Sequence, residues 1–85
     1  MQWIAEHSRE GAYGFPHTIR VGQSRRGYWW AEVHGFRWGG NEGAVTTRRF
    51  RLSEEDAAKV RGHLEAGRHS EAEDAIWAAV SLREA

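Results

Sequence analysis

From His17 onward the chain alternates between apolar and polar positions. "HTIRVGQ" puts Ile19 and Val21 on one side of an extended segment, with Thr18, Arg20 and Gly22 on the other. "SRRG", residues 24–27, has turn composition, and alternation resumes over residues 28–38. There Trp29, Ala31 and Val33 share one face, while Tyr28, Trp30, Glu32, His34, Phe36 and Trp38 share the other. "GGNEG", residues 39–43, predicts a hairpin loop, and "AVTTRRFRL", residues 44–52, a third strand. In that strand Thr46, Arg48, Phe50 and Leu52 alternate with Val45, Thr47, Arg49 and Arg51. Two hairpins in series predict an antiparallel meander.

The period then changes to 3.6. Ser53 is an N-cap signal, and Glu54, Glu55 and Asp56 complement the positive end of a helix dipole. Ala57, Val60 and Leu64 form a stripe, and Gly67 predicts the stop. "SEAE" then predicts a capping box, with Ser70 as N-cap and Glu73 at the third position. Ala72, Ile76, Ala79 and Val80 make the second stripe, with Trp77 at its edge, to about Arg83. The first 16 residues alternate less clearly. "QWIAEH" has the composition of a short strand, "REGAYGFP" that of a loop, and Trp3 and Ile4 are the side chains that would pin this arm.

The expected fold is therefore α+β. A three-stranded antiparallel meander, four-stranded if the arm contributes, carries two C-terminal helices on one face. The parts are an arm (1–16), the meander (17–52) and the helices (53–85) of a single domain. The face under the helices should hold Ile19, Val21, Trp29, Ala31, Val33, Phe50 and Leu52, closed by Val60, Leu64, Ile76, Trp77 and Val80. The opposite choice would bury Arg20, Glu32, Arg49 and Arg51 without partners, which is costly.

At 85 residues there is room for one domain. The absence of cysteine excludes disulfides and thiolate zinc sites. No apolar run reaches the roughly 18 residues of a membrane span, and "MQWIAEHSRE" lacks the pattern of a secretory signal, so the expectation is a soluble cytoplasmic protein. The net charge of zero conceals a segregation: residues 1–16 carry −1, residues 17–51 carry +5 and residues 52–85 carry −4. Eleven of the twelve basic residues are Arg, which stacks on rings and forks onto carboxylates, as interfaces require.

The open face is then Tyr28, Trp30, Glu32, His34, Phe36 and Trp38, flanked by Arg20, Thr47, Arg49 and Arg51. Trp, Tyr and Arg dominate interface hot spots, so these are the candidate partner-binding residues. The bland alternative is that cross-strand ring–guanidinium pairs only stabilise the sheet, by a few tenths to about 1 kcal/mol each. Trp3, Tyr13 and Phe15 of the arm are candidates to cover part of the face.

Two partner classes fit, with a second copy of the chain as a further candidate. "GYWWAEV" followed by "TTRRFRLSEEDAAKV", within residues 27–66, resembles the arm-binding domains of tyrosine integrases and plant AP2-type domains. That resemblance implies a sheet entering a DNA groove, with Arg20, Arg37, Arg48, Arg49 and Arg51 as contacts and Trp30 as a stacking residue. Glu32 in mid-face and zero net charge favour a protein partner instead. In size, cysteine-free composition and layout the chain is similar to the small inhibitors that phages encode against host defence, anti-CRISPR proteins in particular. This similarity of type implies stoichiometric occlusion of a defence nucleoprotein complex. The acidic helices (Glu54, Glu55, Asp56, Glu65, Glu71, Glu73, Asp74) would then be an alternative contact surface, imitating phosphate charge.

Catalytic and cofactor patterns are not legible. His7, His17, His34, His63 and His69 show no metal-ligand spacing, and neither "GAYGFP" nor "WGGNEG" is a phosphate loop. Glu32 and His34 share a face as an acid–base pair would, but nothing in the sequence supplies a nucleophile beside them. The expectation is a non-enzymatic binding protein with no cofactor and no metal.

Overall fold

The structure, a computed structural model, describes residues 1–11, 14–39 and 42–84; the side chains of residues 36–39, 42–44 and 82–84 lie outside that description. The elements are β1 (Gln2–Glu10), β2 (Pro16–Gln23), β3 (Trp29–Gly39), β4 (Glu42–Leu52), α1 (Glu54–Glu65) and α2 (His69–Glu84). The four strands form one antiparallel sheet in the order β1-β2-β3-β4. The meander is thus four-stranded, and both helices pack on one face of it.

The register sets the faces. Val21, Ala31 and Phe50 lie side by side across β2, β3 and β4, as do Arg20, Glu32 and Arg49 on the other face. Trp29 is opposite Leu52, and Ile19 is opposite Val33. Ile19, Val21, Ala31 and Leu52 are buried against Ala57, Val60 and Leu64 of α1 and Ala72, Ile76 and Ala79 of α2. Trp29, Val33, Phe50 and Val80 pack at the margin of this core, and the Phe50 ring meets the Trp77 ring edge-on at 5.1 Å.

β1 is longer than the sequence pattern suggested, because Ser8, Arg9 and Glu10 pair with Thr18, His17 and Pro16, and it is an edge strand with an irregularity. Trp3 is opposite Gly22, yet Ala5 is opposite Val21, so Ile4 is an extra residue in the ladder. Such a bulge moves everything after it to the other face. Trp3 therefore sits on the open face, while Ala5, His7 and Arg9 point to the helix side.

α1 starts and stops as its sequence predicts. The Ser53 hydroxyl accepts from the Asp56 N–H at 3.1 Å, and Gly67, at φ 73°, takes the left-handed conformation that ends the helix. α2 differs. The Ala72 N–H already donates to the Arg68 carbonyl at 3.0 Å, so the helix begins at His69 and Ser70 lies inside its first turn rather than at the cap. Gly67 and Arg68 suffice to turn the chain, and the Ser70 hydroxyl instead accepts from Arg9 Nη1 at 3.0 Å. Glu73, released from capping, faces His17 and Trp77.

Candidate functional site

The helices leave the second face of the sheet uncovered. At its centre the Glu32 carboxylate is gripped from both sides: Arg20 Nε donates to Oε1 and Arg49 Nε to Oε2, each at 2.8 Å. Glu32 is only 4% exposed, so it is a buried anchor and not the open contact residue that alternation implied. Alternation assigns a face; it does not reveal that long neighbours will cover a shorter carboxylate. Burial acts to raise the Glu32 pKa, but the hydrogen bonds and charges of Arg49 and Arg20 outweigh it and hold the pKa below 4.5.

Trp3 lies beside this triad. Its ring is 4.1 Å from the Arg20 guanidinium carbon and 5.6 Å from that of Arg49. Gly22 makes the space: a Cβ there would come within 2.7 Å of Trp3 Cε3. The arm thus supplies one ring to the open face, as the presence of Trp3 suggested; Tyr13 lies outside the described residues. On the next rank, Trp30 lies between Gly22 and Arg51, and Arg51 stacks over Tyr28 at 3.7 Å. Beyond Glu32, His34 Nδ1 and Thr47 Oγ1 are hydrogen-bonded at 2.6 Å.

Of the candidate partner-binding residues, Arg20, Tyr28, Trp30, Glu32, His34, Arg49 and Arg51 thus come together on one surface. Phe36 and Trp38 continue the same register opposite Val45 and Gly43, with side chains outside the described residues. Arg48 does not join them. It is on the helix side, with its guanidinium 5.3 Å from the Phe50 ring and 5.6 Å from that of Trp77. The grouping of Arg48 with Arg49 and Arg51 as contacts of one DNA face therefore fails, since adjacent strand residues face oppositely.

A shallow hollow of about 470 Å³ is lined by Glu6, Thr18, Arg20, Glu32, His34, Thr47 and Arg49. Arg20, Arg49 and Arg51 against Glu6 and Glu32 leave this face with a small positive excess, and Arg20 and Arg49 already neutralise one carboxylate. Many helix acids are also engaged internally: Glu65 with Arg61, Glu71 with Arg68, and Asp56 with Ser53.

On the helix side, three histidines remote in sequence meet. His69 Nδ1 is 2.9 Å from His7 Nδ1, and His69 Nε2 is 2.7 Å from His17 Nδ1. His17 Nε2 is 3.9 Å from Glu73 Oε2, and Trp77 Nε1 donates to Glu73 Oε1 at 3.2 Å. His69 is buried, and its pKa is lowered to about 4, chiefly by desolvation and then by the nearby Arg9 guanidinium. Spacing rules miss this group because its members come from β1, β2 and α2. Among the described residues, no buried polar side-chain atom lacks a hydrogen-bond partner.

The fold defines a small α+β domain with one covered and one open sheet face, and no helix among the described residues is long and apolar enough to cross a membrane. The chain matches no protein-family model, no curated protein and no solved structure.

Proposed function

We propose that this chain is a non-enzymatic binding protein that uses its open sheet face to occlude a macromolecular partner, and that the partner is a protein. The observation that carries the reading is the ordered array of rings and guanidinium groups on a face the domain's own helices leave bare. Glu32 fixes Arg20 and Arg49, Trp3 flanks them, and Tyr28 supports Arg51. Side chains held in place before binding lose less conformational freedom on contact, which favours affinity. Trp, Tyr and Arg are also the types that concentrate binding energy.

The similarity of type to phage inhibitors supports a narrower reading, in which the partner is a host defence nucleoprotein complex. The alternative, a sequence-tolerant DNA-binding module, is supported by the exposed Arg49 and Arg51 and weakened by the carboxylate at the centre of the face.

Immobilised wild-type chain and its Trp30→Ala and Arg51→Ala variants, presented with one bacterial lysate, test the proposal. A protein retained by the wild type and lost from both folded variants supports it. Equal retention by all three overturns the assignment of the face. Retardation of duplex DNA that weakens steeply with salt would shift the reading to the DNA module. A dimer in solution that dissociates on Trp30→Ala would make the partner a second copy of the chain.

A further inference from the structure

The histidine group on the other side of the sheet points to a different chemistry. His17 on β2, and His69 and Glu73 on α2, each bring one donor atom to within 4.8 Å of the others. His69 and Glu73 are one helical turn apart and share a face, while His17 reaches them from the sheet.

We propose that His17, His69 and Glu73 form a three-donor site for a divalent transition-metal ion of the zinc class, with its fourth position open to the adjacent cleft. Two imidazoles and a carboxylate are a zinc donor set, and three protein donors plus an exchangeable position are the pattern of non-structural zinc sites. Bonds of roughly 2.0–2.2 Å place tetrahedral donors about 3.3 Å apart, so side-chain rotation has to open the His17–His69 pair from 2.7 Å and draw in the wider pairs, which span up to 4.8 Å.

The surroundings support each donor. His69 Nδ1 is held by His7 at 2.9 Å, which fixes the ring and aims Nε2 at His17. His69 Nε2 and His17 Nδ1 are hydrogen-bonded at 2.7 Å, a contact whose place a bridging cation can take. Trp77 binds Glu73 Oε1, leaving Oε2 toward His17. The access route is a cleft of about 250 Å³ whose lining includes His17, Glu73, Trp77, Thr46 and Arg48. Arg48 at that cleft favours hydroxide or another anionic oxygen as the fourth ligand.

Cobalt(II) titration of the chelator-stripped full chain tests the site. The expected result is one saturable equivalent with the strong visible absorption of four-coordinate cobalt. Glu73→Gln and His17→Gln should each weaken binding by at least tenfold, while His34→Gln on the open face leaves it unchanged. Glu73 is only half-buried and Gln is its isostere, so that variant should keep its fold, with circular dichroism as the check. No saturation below millimolar cobalt, a six-coordinate spectrum, or wild-type affinity in both variants would overturn the proposal.

Discussion

Trp3 is placed by Gly22. The two are opposite each other across β1 and β2, and the missing side chain of Gly22 leaves room for the indole to reach the Arg20 guanidinium. A Cβ on Gly22 would also come within 2.5 Å of the Gln2 carbonyl oxygen, which is backbone and cannot swing aside. Gly22→Ala should therefore destabilise the domain by about 1–3 kcal/mol, the usual cost of overpacking. Urea unfolding followed by tryptophan fluorescence measures it. Wild-type stability in this variant would show that β1 is not pinned here.

The Glu32 triad makes a pH prediction. Its folded-state pKa lies below the ordinary 4.5, so the carboxylate contributes stability that is fully present above that value and lost as pH falls through the folded pKa. Glu32→Gln should be less stable than wild type at pH 7. The gap should narrow as pH falls below about 4.5, because the wild-type carboxyl then becomes neutral too. Parallel unfolding curves at a series of pH values test the sign. A gap that widens in acid contradicts it.

Adjacent tryptophans on β3 should behave differently. Trp29 packs against the core, and Trp29→Ala should cost about 3 kcal/mol. Trp30 is on the open face, and Trp30→Ala should cost about 1 kcal/mol or less while abolishing partner capture. Thermal unfolding of both variants gives the comparison, and similar losses would mean that the two faces are not distinct in energy.

The two helix starts separate a cap from its imitation. Ser53→Ala removes an observed cap and should cost about 1 kcal/mol. Ser70→Ala removes only an exposed hydrogen bond to Arg9 and should cost a few tenths. Chemical denaturation of the two variants side by side reads the difference.

These four cases also mark how far the sequence reaches. Trp29 and Trp30 were assignable to opposite faces because period-two alternation and the charges of Arg20, Glu32 and Arg49 agree. Ser53 was legible because a cap is a local interaction among consecutive residues. Ser70 shares the same local pattern, but a contact with distant Arg9 and an earlier helix start override it. β1 was only partly legible, since the extra residue at Ile4 breaks the alternation and the inward positions of His7 and Arg9 are polar. Those polar positions make sense only when His69 and Ser70 are placed opposite them. The same reason hid the metal-like group: His7 and His17 are 62 and 52 residues from His69.

The order of the strands has a kinetic consequence. Each strand pairs with its chain neighbour, so every step of sheet assembly closes a short loop and costs little chain entropy. The meeting of β1 with the start of α2 joins residues 62 apart in sequence, so it should come late. Strands β2 to β4 and α1 should therefore form the early nucleus. Substitutions at the His7–His69 junction should then accelerate unfolding and leave the folding rate almost unchanged.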